Sequence, residues 1–134
     1  MLDEQTTQQL IKAALAARQQ AYAPYSNFFV GAAVLSEEGA ITSGANVENA
    51  SYGVTLCAER VAASAAVASG VRKLSAVAIA TTGAASPCGA CRQFLSEFGW
   101  SMDIILVDAE DPSKFRTTSL DVLLPEQFDL DSLS

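Results

Sequence analysis

Leu56-Cys57-Ala58-Glu59-Arg60 and Pro87-Cys88-Gly89-Ala90-Cys91-Arg92-Gln93 hold every cysteine of the chain, and the chain has no histidine. One Cys and a separate Cys-x-x-Cys make a set of three sulfur ligands with one position open. A structural zinc closes its shell with four protein ligands, whereas a catalytic zinc keeps one position free. Glu59 stands two residues after the lone cysteine. A carboxylate beside metal-activated water is a ready proton carrier. Both stretches also open helical segments. Leu56 to Ser69 is dominated by alanine and small residues and stops at Gly70, and Cys88 starts a helix that reaches about Phe98. Leu74 to Thr81 and Asp103 to Val107 read as strands around that second helix. Strands alternating with helices predict an α/β layered domain with helices on both faces of a sheet.

The rest of the chain extends this pattern. Leu10, Ile11, Ala14 and Leu15 step at helical spacing, which predicts a helix from about Asp3 to Tyr22, ended by Pro24. Phe29 to Leu35 is a near-continuous apolar run, as expected of a strand buried on both faces. Glu37-Glu38-Gly39 reads as a hairpin turn into a second strand, about Ala40 to Val47. Glu48 to Thr55 is irregular, with Gly53 as a breaker. Lys114 to Thr117 reads as a short fifth strand, and Ser119 to Leu124 as a short helix with Ser119 as its N-cap. There is no internal repeat, low-complexity tract or linker, so residues 1–134 are expected to form a single domain.

Composition narrows the partners. A net charge of -7 argues against a nucleic-acid groove and against docking on an anionic membrane. The first residues show no basic n-region and no apolar h-region, and no stretch is apolar enough to span a bilayer. A cytoplasmic protein is expected, and there reduced thiols suit metal ligation. Only 17% of residues are charged, below the usual quarter or so, and half are apolar. Burial between subunits is one outlet for the apolar surface left over.

The residues can also be read in plainer ways. Cys88-Gly89-Ala90-Cys91 at a helix start fits a dithiol redox pair, but such a switch needs neither Cys57 nor Glu59. A structural zinc site would need a carboxylate or a second chain to supply the fourth ligand. The cysteines could also be small buried hydrophobes. Arg60, three residues after Cys57, shares its helix face and is read as a donor that drains charge from the thiolates, against the alternative of a surface arginine. Asn46 and Glu48 point to one side of an extended segment and could grip a sugar hydroxyl, though such a pair at a strand end is usually solvated. Phe28 and Phe128 read first as packing residues.

Taken together these residues resemble the small zinc-dependent cytidine deaminases of pyrimidine salvage. Cys57-Ala58-Glu59 with Pro87-Cys88-Gly89-Ala90-Cys91 matches that superfamily's metal pattern. Ala23-Pro24-Tyr25-Ser26-Asn27-Phe28, Val30-Gly31-Ala32-Ala33, Asn46-Val47-Glu48-Asn49-Ala50-Ser51-Tyr52-Gly53, Cys91-Arg92-Gln93 and Leu123-Leu124-Pro125 extend the likeness over most of the chain. The resemblance implies a three-layer α/β/α sandwich around a five-stranded mixed sheet. It also implies a homotetramer with active sites at subunit boundaries. It implies Zn²⁺ on Cys57, Cys88 and Cys91, and Glu59 as the proton shuttle. Phe28 would pack on the pyrimidine ring, Asn46 and Glu48 would hold the ribose 3′-hydroxyl, and the Ala58 backbone would meet the base edge. Ala50, Tyr52 and Phe128 would complete a neighbour's pocket, and Arg60 would neutralise charge. Phe29 is bulkier than the resemblance leads one to expect. The implied reaction is hydrolytic deamination of cytidine and deoxycytidine to uridine and deoxyuridine with release of ammonia. The alternatives are a deaminase of another amino-heterocycle, such as blasticidin S or a free base, and a non-catalytic zinc-binding interaction module. Nucleic-acid editing is disfavoured by the net charge and compact length.

Overall fold

Sheet register explains where each side chain goes in this protein, whose computed structural model describes residues 2–131. The elements run α1 (Glu4–Arg18), β1 (Gly31–Ser36), β2 (Ile41–Ala45), α2 (Ala58–Ala68), β3 (Leu74–Thr81), α3 (Gly89–Ser96), β4 (Asp103–Asp108), β5 (Phe115–Ser119) and α4 (Leu120–Leu123), with a 3₁₀ turn at Tyr52–Val54. The five strands form one sheet in the order β2-β1-β3-β4-β5. Only β3 and β4 are parallel; the other pairs are antiparallel, so the sheet is mixed.

Alternation along the strands divides the core into two layers. Ala32 and Val34 of β1, Val77 and Ile79 of β3, and Ile104 and Leu106 of β4 face α2 and α3. Ala33 and Leu35, Ala76, Ala78 and Ala80, and Ile105 and Val107 face α1. The result is the expected α/β/α sandwich, with α1 alone on one face. Two glycines set the helix-to-sheet distance. A Cβ at Gly31 would lie 2.0 Å from the Ala14 carbonyl oxygen, and one at Gly44 would lie 2.6 Å from the Ala62 nitrogen. Any side chain there would push α1 or α2 off the sheet, so the small residues of α2 do serve close backbone approach.

Several boundaries differ from the sequence reading. Helix α1 starts where expected, with Asp3 Oδ1 accepting from the Thr6 N–H at 2.7 Å, but it ends at Arg18, well before Pro24. The chain leaves the helix because Tyr22 pairs with the segment after β2: Tyr22 N–H donates to Asn46 O and Glu48 N–H donates to Tyr22 O. Strand β2 stops at Ala45 rather than Val47 for the same reason, and because Val47 forms a two-bond antiparallel bridge with Leu56. Phe29 and Val30 precede β1 instead of opening it. Strand β5 lies slightly later than Lys114 to Thr117. Ser119 does sit at the N-cap of α4, yet its hydroxyl bonds the Asp121 carboxylate and caps no backbone N–H.

Candidate metal centre and active site

The Val47–Leu56 bridge delivers the chain to Cys57, the N-cap of α2, and the loop after β3 delivers it to Cys88, the N-cap of α3. Both cap residues are extended and their side chains make no capping bond, so the sulfurs are free to face one another across two helix N-termini. Cys91 follows in the first turn of α3 and is fully buried. The three Sγ atoms lie within 4.8 Å of one another, and among the described residues they form the one group of three or more possible ligands so placed. Cys88 and Cys91 Sγ are 3.5 Å apart, with all three cysteines free of disulfides.

Electrostatics favour metal binding at this point. The Cys57 thiol is pushed down to about 5, first by the hydrogen bond from Cys91 and then by Arg60. Cys91 is pushed up, because it gives its proton to that bond with Cys57 and is buried. The cluster thus already holds one sulfur as thiolate, the form a metal binds. Arg60 Nη2 lies 3.7 Å from Cys57 Sγ and donates to Thr55 O at 3.2 Å. Arg60 Nε is buried with no hydrogen-bond partner among the described residues. A soft three-sulfur donor set with a guanidinium beside it fits Zn²⁺, whose three-thiolate cluster carries a negative charge for that guanidinium to offset. The turn that carries Cys88 and Cys91 is braced by Arg92, which donates from Nε to Pro87 O and from Nη1 to Leu123 O, both at 2.8 Å.

A cavity of about 200 Å³ opens over the cluster. Phe28, Asn46, Cys57, Ala58, Glu59 and Cys88 all line it, so six of the sequence-derived site residues meet there. Glu59 is only 4% exposed, and burial pushes its carboxyl above the usual carboxylate range. It therefore keeps a proton to higher pH than a solvated glutamate, which suits a group that must both take and give one. Phe28 is 44% exposed and forms one wall. Phe29, the bulky neighbour, does not line the cavity; its carbonyl accepts from Arg18 Nε at 2.9 Å.

Asn46 and Glu48 are both buried, and each has partners in the chain. Asn46 Nδ2 donates to Phe28 O at 2.8 Å and its Oδ1 accepts from Val30 N–H at 3.0 Å. Glu48 Oε1 accepts from the N–H groups of Tyr25 and Ser26 at 3.0 and 3.2 Å, and Oε2 accepts from the Ser26 hydroxyl. These bonds, the Ser26 hydroxyl first among them, hold the Glu48 carboxyl below its ordinary value. The pair thus fastens the loop that presents Phe28. Ala50, Tyr52 and Phe128 do not line this cavity. Tyr52 is 66% and Phe128 60% exposed, and Phe128 is held by its carbonyl, which accepts from Gln93 Nε2 at 3.0 Å.

Sequence reading missed the polar residues of the far wall. Thr81 is buried and lines the cavity with Ser86, and its Oγ1 accepts from Ala85 N–H at 2.7 Å to shape the loop before Pro87. The signal was present: Thr81 ends a strand with a parallel neighbour, and open α/β sheets bind ligands at the carboxyl ends of such strands.

Comparison with known proteins gives a consistent picture. Residues 4–107 match the family described as the cytidine and deoxycytidylate deaminase zinc-binding region. A cytidine deaminase of Sporosarcina psychrophila is 45% identical over 130 residues, covering 95% of this chain and 94% of that protein. One from Halalkalibacterium halodurans is 52% identical over 92 residues, covering 67% of this chain and 70% of that protein. The crystal structure of a cytidine deaminase from Burkholderia pseudomallei superimposes with a TM-score of 0.85 at 46% identity, covering 90% of this chain and 98% of that one.

Proposed function

The chain belongs to the cytidine and deoxycytidylate deaminase family, and we propose on that footing that it hydrolyses the 4-amino group of cytidine and deoxycytidine, giving uridine or deoxyuridine and ammonia. The observation that carries this reading is the buried Glu59 beside the Cys57/Cys88/Cys91 cluster in one cavity walled by Phe28.

Cys57, Cys88 and Cys91 would hold zinc. When bound, zinc supplies Lewis acidity, which brings the pKa of water in its open position near neutrality. Glu59 takes the proton that the attacking water loses and delivers it to N3 of the cytosine ring, which makes C4 electrophilic. It then takes the remaining proton from the oxygen now bonded to C4 and gives it to the 4-amino nitrogen, which leaves as ammonia as the C4 carbonyl forms. The Ala58 backbone, at the first turn of α2, meets the base edge, and Phe28 packs against the ring. Asn46 Nδ2 keeps a second N–H and Glu48 Oε2 a further lone pair for the ribose 3′-hydroxyl. Arg60 offsets the charge of the thiolates. A neutral nucleoside needs no basic pocket, in keeping with a net charge of -7.

The single deaminase domain works in this reading as a cytoplasmic homotetramer. Support comes from apolar side chains exposed around the cavity and beyond it: Tyr22, Tyr25, Tyr52, Val54, Leu56 and Phe128. Ala50, Tyr52 and Phe128 serve the pocket of a neighbouring subunit. No helix among the described residues is long and apolar enough to cross a membrane.

The test is ammonia release by the zinc-loaded protein from cytidine and deoxycytidine, with cytosine, CMP and adenosine beside them. Release is expected from the two nucleosides, with cytosine at least about a hundredfold slower because it forgoes the sugar contacts. Equal rates on cytosine and cytidine would remove the Asn46/Glu48 role and favour a deaminase of free bases.

A further inference from the structure

We propose that Ser26 is a positioning residue that sets base recognition and sugar recognition as one unit. The inference rests on the assignment of Phe28 to the base and Glu48 to the ribose. Three observations carry it. The Ser26 hydroxyl donates to Glu48 Oε2. Ser26 Oγ in turn accepts from the Phe28 N–H at 3.0 Å. Asn46 closes the circuit from the other side, donating to Phe28 O and accepting from Val30 N–H. One hydroxyl therefore joins the carboxylate meant for the sugar to the backbone of the ring meant for the base.

The geometry also fixes the order of dependence. Asn27, between Ser26 and Phe28, sits in the left-handed region with φ 57°, a turn that asparagine tolerates and that needs bonds on either side to hold it. Asn46 holds Phe28 after the turn, and Glu48 supplies the bonds before it. Its Oε1 takes the N–H groups of Tyr25 and Ser26, so the loop stays anchored even without the Ser26 hydroxyl. What the hydroxyl adds is the link onward to Phe28. Removing it leaves the fold, Glu59 and the Asn46 bond to Phe28 O in place and cuts the link between Glu48 and Phe28.

The experiment compares wild type, Ser26→Ala and Ser26→Thr as zinc-loaded proteins, with cytidine and 3′-deoxycytidine as substrates. A hydrogen bond to a charged group is worth about a tenfold effect or more. For Ser26→Ala the KM for cytidine is expected to rise about tenfold while kcat falls by less than about threefold. The preference for cytidine over 3′-deoxycytidine should shrink by a similar factor of about ten, a change that general loosening of the fold does not produce. Ser26→Thr, which keeps the hydroxyl, should restore most of that preference. An active wild type with Ser26→Ala indifferent in both KM and 3′-hydroxyl preference overturns the role of Ser26 alone. A zinc-loaded wild type inactive on cytidine overturns the nucleoside reading, and the role of Ser26 with it.

Discussion

Replacing Glu59 by Gln should abolish turnover while leaving the fold and the zinc content intact. The carboxylate lines the cavity and is not one of the three grouped sulfurs. Gln has the same shape and cannot carry the proton. Positioned acid–base catalysis contributes about 10²–10⁴ in rate, and in the proposed mechanism one group serves both N3 and the leaving nitrogen, so a loss of at least about 10³ in kcat is expected. The variant should also be the more stable protein when metal-free. Burial raises the folded-state pKa of Glu59 above its unfolded value. Such a group favours folding below its unfolded pKa and loses that contribution as pH rises through the folded pKa. At pH 7 the native state must hold a desolvated carboxylate or an expensive proton, and Glu59→Gln removes that demand. Its melting temperature should lie at or above wild type at pH 7, and the gain should vanish in acid below the ordinary glutamate range. Thermal melts of the two metal-free proteins across pH, with turnover measured on the zinc-loaded forms, check both halves. Unchanged turnover would remove Glu59 from the mechanism.

The second large effect belongs to Cys57. Cys57→Ser changes the volume little, and the half-buried site tolerates a hydroxyl. It removes the sulfur that is already a thiolate near neutral pH and that Arg60 supports. Zinc binding should weaken by orders of magnitude, because the donor set falls from three sulfurs to two. Zinc per chain in the purified variant should fall well below one, with turnover below detection. Wild type should melt higher with zinc than without it, and that difference should disappear in Cys57→Ser, since only ligand bound to the native state raises its stability. Full zinc occupancy in the variant would show that Cys57 is not a ligand.

Much of this arrangement is legible along the chain because it is local. The alternation in Ala76-Val77-Ala78-Ile79-Ala80 assigns each side chain to one face without knowledge of the partner strands. The placement of Cys57 and Cys88 at helix starts follows from propensity and from the small residues that come after them. What escapes is what depends on contacts far apart in sequence. The strand order puts β1 between β2 and β3 through pairings that no periodicity reveals. The end of α1 is decided by the pairing of Tyr22 with Asn46 and Glu48, and Pro24 plays no part in it. Asn46 and Glu48 read as a free fork because their partners, Phe28, Val30, Tyr25 and Ser26, lie from 16 to 23 positions away. The same holds for Thr81, whose value as cavity lining emerges only when the loop after β3 folds back onto it.

In the proposed function three sulfurs hold one zinc, and Glu59 moves the protons that turn cytidine into uridine. The most direct measurement adds zinc in steps to metal-free protein and follows uridine formation at saturating cytidine. Activity should climb linearly and stop at one zinc per chain, with one ammonia released for each uridine formed. A protein that binds zinc on Cys57, Cys88 and Cys91 and forms no uridine at any ratio would contradict the account and leave a zinc-binding module without catalysis.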